Sequence, residues 1–285
     1  MLQVRDLSKS FPGVKALQDV NLQLDVGEVL AVVGENGAGK STLMKILAGI
    51  QHADCGSISI DGKPVQINSV RDAQALGIAL IHQELNLCSN LSVGANIFLG
   101  REPRKPLRID TAQIRADSRE ILARLGLQVD PDTQLDRLSL GQQQMVEIAK
   151  ALTAQARILI MDEPTSSLSG RETEALFAVV EKLRAEGVGV IYISHRLGEV
   201  ERLADRAMVL RDGAVVGVLQ RSEIDHATLV QMMVGRDATS LYQHQPRSTG
   251  AVALQARGVR TAAFPQHAVN LELREGEIVG LAGLV

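Results

Sequence analysis

The chain has 285 residues, a net charge of -3, and is 45% hydrophobic but only 2% aromatic, which allows one α/β domain of ordinary size plus a remainder. Its mild negative charge gives no support to electrostatic binding of nucleic acid, and no apolar run reaches the about eighteen residues needed to cross a bilayer. The opening Met1-Leu2-Gln3-Val4-Arg5-Asp6 has no charged region followed by an apolar stretch, so no secretion signal is expected; the widely separated Cys55 and Cys88 read as reduced thiols rather than a disulfide or metal site.

In chain order, Val29-Leu30-Ala31-Val32-Val33 is a short, continuous, β-branched run that reads as a buried parallel strand. The nine residues Gly34-Glu35-Asn36-Gly37-Ala38-Gly39-Lys40-Ser41-Thr42 follow, a GxxxxGKS/T loop, and residues 43–48 read as a helix ended by Gly49. Strand, glycine-rich loop and helix together make a polyphosphate cradle. The glycines let backbone N–H groups turn inward, the helix N-terminus adds partial positive charge, Lys40 reaches the β- and γ-phosphates and Ser41 is placed for Mg2+. Next, Ile78-Ala79-Leu80-Ile81-His82-Gln83 reads as a strand ending in a polar pair, and residues 92–100 and 111–126 read as helices.

Leu138-Ser139-Leu140-Gly141-Gln142-Gln143-Gln144 precedes apolar residues Met145, Ile148, Ala149 and Leu152 at helical spacing. Ser139 is therefore predicted at a helix N-cap, where its hydroxyl and the free N–H groups beside Gly141 make a second anion site. Residues 157–163 are an apolar strand ending in two carboxylates: Asp162 suits a metal beside Ser41, and Glu163, one residue on, suits a general base. Residues 188–195 form another apolar strand, closed by His195, and residues 206–219 give two strands around the Asp212-Gly213 turn. Residues 237–251 are polar and unpatterned, as a linker would be.

Beyond the linker the opening of the chain returns. Val20-Asn21-Leu22-Gln23-Leu24-Asp25-Val26-Gly27-Glu28-Val29 recurs as Val269-Asn270-Leu271-Glu272-Leu273-Arg274-Glu275-Gly276-Glu277-Ile278, and Phe11-Pro12 as Phe264-Pro265. Residues 252–285 are thus expected to open a second copy of the same fold, stopping where a second phosphate loop would begin.

A phosphate loop, then LSLGQQQ, then ILIMDEPTSSL, then an apolar strand ending in His195 resembles, in order and spacing, the nucleotide-binding domain of ATP-binding-cassette (ABC) proteins. The resemblance implies an α/β P-loop NTPase cassette over residues 1–236: a mixed RecA-like core sheet, an antiparallel β subdomain and an inserted helical subdomain at about 84–156. It implies ATP held by Gly34, Glu35, Asn36, Gly37, Ala38, Gly39, Lys40, Ser41 and Thr42, with Phe11 stacked on adenine. It implies Mg2+ at Ser41, Gln83 and Asp162, with Glu163 and His195 catalytic. Ser139, Gly141 and Gln142 match a signature that binds the γ-phosphate of ATP on an opposite cassette. Two positions depart from the family: Leu140 stands where a small residue is usual, and Ser169 where many members have Asp, which bears on communication between the two ATP sites.

Strings such as Phe11-Pro12-Gly13-Val14-Lys15-Ala16-Leu17, His82-Gln83-Glu84-Leu85 and Met232-Met233-Val234-Gly235-Arg236 look like the ATP-binding subunit of bacterial monosaccharide importers of the ribose, galactose and xylose type. That likeness implies a peripheral subunit on the cytoplasmic face of the inner membrane, a second cassette in the same polypeptide or a homodimer, transmembrane permease subunits and, indirectly, a periplasmic sugar-binding protein. The alternatives are a soluble tandem-cassette remodelling ATPase, disfavoured by the short linker and acidic charge, and a regulatory cassette that binds nucleotide without hydrolysis, disfavoured by intact Lys40, Asp162, Glu163 and His195.

Overall fold

Period-two burial at the start of the chain produces an antiparallel hairpin, β1 (Leu2–Phe11) and β2 (Val14–Leu24), with Leu2, Val4, Leu22 and Leu24 buried on one face. The next run is apolar at every position and becomes β3 (Val29–Val33), buried throughout. It leads through the glycine-rich loop into α1 (Lys40–Leu47), which begins at the lysine itself, three residues earlier than periodicity alone suggests. Two further strands, β4 (Cys55–Ile60) and β5 (Lys63–Val65), join the hairpin in a four-stranded antiparallel sheet of order β2-β1-β4-β5. The computed structural model describes residues 1–82, 85–106, 108–235, 250–262 and 264–280. These fall into two compact units, within Met1–Arg236 and Asp237–Val285.

The larger unit continues with α2 (Val70–Ala75) and β6 (Ile78–Ile81), then a helical segment made of α3 (Val93–Ile97), α4 (Thr111–Arg124) and α5 (Leu140–Thr153), with a two-strand ribbon β7 (Arg104–Lys105) and β8 (Arg108–Ile109) between the first two helices. Ile97, Ile121, Leu122, Val146 and Ile148 pack these helices against one another and against β9 (Ile158–Asp162). Then come α6 (Gly170–Ala185), β10 (Gly189–Ile193), α7 (Leu197–Leu203), β11 (Arg206–Arg211), β12 (Ala214–Gln220) and α8 (His226–Val234).

The core sheet has six strands in the order β12-β11-β3-β10-β9-β6; β12 alone runs antiparallel, paired with β11 through the Asp212-Gly213 turn. Strand β10 sits between β3 and β9, so Ile193 pairs with Val32 on one side and with Asp162 on the other. Both strands expected to end in a functional residue stop earlier: β6 at Ile81 and β10 at Ile193, which leaves His195 in the following loop. Among the described residues no helix is long and apolar enough to cross a membrane.

In the smaller unit β13 (Val252–Val259) and β14 (Val269–Arg274) form an antiparallel hairpin. Its pairs Leu254 with Leu273, Ala256 with Leu271 and Val259 with Val269 repeat the pairs Leu2 with Leu24, Val4 with Leu22 and Leu7 with Val20 of the first hairpin. The register follows the sequence repeat, although Leu254 is 52% exposed where Leu2 is buried.

A partly buried ion pair ties the antiparallel sheet to the core: Arg206 on β11 bonds the Glu28 carboxylate and the carbonyl of Gln23, and Glu28 accepts from the N–H of Asp25 at 2.6 Å. Arg206→Ala leaves the Glu28 charge, only 8% exposed, without its cation. The expected cost is roughly 3 kcal/mol of unfolding free energy in urea, the scale for breaking a buried pair, and a change within error of zero would contradict this reading of the joint.

Candidate functional site

The loop after β3 owes its shape to two backbone positions. Gly39 has φ +102°, and a Cβ there would lie 2.4 Å from the carbonyl oxygen of Ala16; Gly34 has φ +157°, and a Cβ would lie 2.2 Å from that of Leu210. No side chain caps α1, whose N-cap is Gly39 itself, so the first N–H groups of the helix remain available to an anion. Lys40 folds back over the loop and donates from Nζ to the carbonyls of Gly34 at 2.7 Å and Glu35 at 3.0 Å. Burial pushes its pKa down, and the nearby Glu163 and Asp162 carboxylates work against that.

A cavity of about 320 Å3 opens over this loop, lined by Asn36, Gly37, Gly39, Lys40, Ser41, Thr42, Asp162 and Glu163, with Val14 and Ala16 from β2. Glycine-loop N–H groups, one ammonium, two hydroxyls and two carboxylates thus share a space in the size range of small-ligand pockets. Burial, with the Glu163 charge adding to it, raises the Asp162 pKa, while His82, Lys40 and Lys45 oppose the shift. A divalent cation would relieve this, and the hydroxyl of Ser41 and carboxylate of Asp162 are the hard oxygen donors that Mg2+ prefers. Among the described residues no cluster of three or more His, Cys, Asp or Glu could hold a metal ion, so a cation here would complete its shell with phosphate oxygens and water.

Glu163 stands immediately beyond β9 with φ +47°, a left-handed conformation that for a non-glycine residue costs on the order of 1–3 kcal/mol and clusters at functional sites. Its N–H donates to the carbonyl of Ile193 at 3.0 Å. Across β10, the Nδ1 of His195 lies 3.1 Å from Glu163 Oε1. The imidazole is 57% exposed and Glu163 20% exposed; Glu163 lines the cavity and His195 does not.

The loops carrying this pair are pinned from below by a carboxylate that sequence reasoning missed. Glu199, buried on α7, accepts from Thr165 Oγ1 at 2.6 Å, Tyr192 Oη at 2.9 Å and Ser194 Oγ at 2.8 Å. Thr165 lies two residues after Glu163, and Ser194 precedes His195, so one carboxylate fixes both loops. In sequence, Glu199 within Leu197-Gly198-Glu199-Val200-Glu201 looks like an ordinary charged helix position; its only signal is that it falls on the same face as the apolar Val200 and Leu203.

The helix cap expected at the start of α5 is present. Ser139 is the N-cap, its hydroxyl accepting from the N–H of Gln142 while the Gln142 side chain accepts from the Ser139 N–H, a reciprocal capping box. Ser139 and Leu140 are exposed and Gly141 is buried. Ser169, in the position of the missing Asp, is the N-cap of α6 and makes a capping box with Glu172.

Phe11, at the end of β1, is 39% exposed and lies 5.6 Å from the Lys9 ammonium. It pairs with Val14, which does line the cavity; Phe11 itself does not. Gln83 lies outside the described residues.

Residues 17–166 match the protein family described as ABC transporter. Over the whole chain, the sequence is 47% identical to the ribose import ATP-binding protein RbsA of Rhodopirellula baltica and 44% identical to the galactose/methyl galactoside import ATP-binding protein MglA 1 of Photobacterium profundum, and it spans 57% and 58% of those two proteins. Among solved structures, a nucleotide-free ATP-binding cassette from an ABC transporter is similar with a TM-score of 0.73 at 25% identity, covering 83% of this chain and 99% of that one.

Two substitutions test the geometry. Gly39→Ala puts a Cβ against the Ala16 carbonyl at a φ that alanine resists, and should cost roughly 1–3 kcal/mol of stability while weakening retention of triphosphate on the cradle; unchanged binding by calorimetry would contradict the cradle. Glu199→Ala orphans the three hydroxyls it accepts from and should lower the unfolding free energy by roughly 2–4 kcal/mol, whereas a loss near zero in urea titration would mean that the network is not structural.

Proposed function

The chain belongs to the ABC transporter family, and we propose that it acts as an ATP-hydrolysing subunit that energises the uptake of a monosaccharide across the bacterial inner membrane. The observation that carries this reading is the convergence of Lys40, Ser41, Asp162 and Glu163 on one cavity at the C-terminal edge of a parallel sheet. The sugar in question is supported by the names of the relatives, whose length this chain spans only in part.

The glycine-loop N–H groups and the start of α1 hold the β- and γ-phosphates of ATP, and Lys40 turns its ammonium from the loop carbonyls toward them. Ser41 and Asp162 hold Mg2+ when it is bound, with Gln83 as a further ligand, and the ion neutralises charge developing on the phosphates. Glu163 accepts a proton from the attacking water as general base. His195, whose Nδ1 lies 3.1 Å from Glu163, presents its other ring nitrogen to the γ-phosphate. Phe11 stacks on adenine at the mouth of the cavity.

Ser139, Gly141 and Gln142 are assigned to the nucleotide of an opposing cassette. Residues 252–285 are assigned to the start of a second cassette, joined by the linker at 237–251, on the strength of the repeated strand register. Permease subunits would hold the assembly at the cytoplasmic face and couple it to a periplasmic sugar-binding protein.

The test is Mg-ATP binding and turnover by this chain with two variants. Lys40→Ala is expected to weaken binding at least about tenfold, the loss of one buried charge-assisted contact. Glu163→Gln is expected to bind ATP as the parent does and to lose at least about 100-fold in turnover, the scale of one general base. Hydrolysis by Glu163→Gln at the parental rate would overturn the role of Glu163, and ATP binding unaffected by Lys40→Ala would overturn the site.

A further inference from the structure

The signature's anion site is already filled, by a carboxylate of the same chain. Oε1 of Glu172, on the first turn of α6, accepts from the Ser139 hydroxyl at 2.8 Å and from the Gly141 N–H at 3.1 Å. Its other oxygen accepts from the N–H and hydroxyl of Ser169 at 3.0 and 2.8 Å. One side chain thus does two things. Through Ser169 it completes a local helix cap, and through Ser139 and Gly141 it reaches 33 residues back to another helix. Gly141 makes room for it, since a Cβ there would meet Oε1 at 2.5 Å. These donors hold the Glu172 carboxyl well below its ordinary value of 4.5, at about 2, so it is charged throughout the neutral range.

A terminal phosphate oxygen would seek the same two donors: a serine hydroxyl and an N–H at a helix start. A carboxylate and a phosphate cannot both occupy them. We propose that Glu172 is a specificity-determining residue for cassette pairing: it serves as a resident anion in the signature site, which the terminal phosphate of ATP on the opposing cassette must displace before the two close. This rests on the reading that the signature acts on an opposing nucleotide. The consequence is a threshold. Pairing needs a ligand that places a stronger anion on Ser139 and Gly141 than the carboxylate already there, so a diphosphate, one phosphoryl group shorter, leaves Glu172 seated. Displaced, Glu172 keeps its Ser169 contacts, so α6 remains capped while the signature is freed.

The experiment measures ATP-dependent self-association of the chain by sedimentation velocity in a Glu163→Gln background, which holds ATP unhydrolysed, with Glu172 unchanged, replaced by Gln, or replaced by Asp. Gln keeps the length but loses the charge; Asp keeps the charge but is one methylene too short to reach Ser139 and Gly141 while capping α6. Both are expected to lower the ATP concentration for half-maximal pairing, by about tenfold for Gln, the factor expected when two charge-assisted hydrogen bonds become neutral ones. In the unpaired chain, ATP affinity should be the same for all three. If Asp behaves like Glu while Gln lowers the threshold, the effect is long-range charge repulsion and the proposal is overturned. Equal thresholds in all three also overturn it, with trans pairing intact. Absence of ATP-dependent pairing in every variant overturns the pairing reading together with the proposal. A direct readout separates the contact from its consequence: the Glu172 carboxyl carbon, followed by NMR without nucleotide, should titrate near about 2, and titration at its ordinary value would overturn the resident-anion assignment.

Discussion

Four parallel strands ending side by side are the constraint from which the chemistry of this chain follows. Strands β11, β3, β10 and β9 are neighbours in register, so the loops leaving them open toward one edge, the place where ligands bind in open α/β sheets. Inserting β10 between β3 and β9 separates the glycine-rich loop from the two carboxylates by two strand spacings, about 10 Å. Lys40 is long enough to span part of that gap, and Asp162 and Glu163 are near enough to raise its proton affinity against burial. No local motif could bring these groups together; the sheet order does.

The edge is held in a strained and pre-organised state. Glu163 sits at a positive φ, and the conformation persists because its N–H is tied to Ile193 while Glu199 anchors Thr165 just beyond it. The same Glu199 holds Ser194 beside His195, so the Glu163 loop and the His195 loop cannot shift independently. Orientation that is fixed before substrate arrives does not have to be gained during the reaction. Glu172 joins α5 to α6 through Ser139 and Gly141, a contact made of charge-assisted bonds at a partly exposed surface. One network ties the Glu163 and His195 loops through Glu199, and the other ties the starts of α5 and α6 through Glu172.

What was legible in the sequence was what depends on short segments. The phosphate loop needs only its glycines and its flanking strand and helix; the Ser139 cap needs only serine and Gln142 three residues on; the Asp212-Gly213 turn needs only its own dihedrals. The repeat was legible because register is set by alternation, and the second hairpin pairs Leu254 with Leu273 as the first pairs Leu2 with Leu24. Strand ends were read too long at His82 and His195, because apolar runs do not show where ladder bonds stop. Glu199 and Glu172 were missed for a common reason: each looks complete locally, one as a charged helix position and the other as half of a capping box. Their second partners come from segments 34 and 33 residues away. Ser169, by contrast, read as a lost charge, keeps the helix-capping role that the site still requires.

The central claim is that the nucleotide site on the sheet edge is chemically complete but lacks its opposing anion-binding helix until a second cassette closes on it. The dependence of Mg-ATP turnover on the concentration of this chain tests that most directly. The account predicts a specific activity that rises with protein concentration, because two copies supply each other's Ser139 and Gly141. A specific activity that is high and constant down to concentrations at which the chain sediments as a monomer would contradict it.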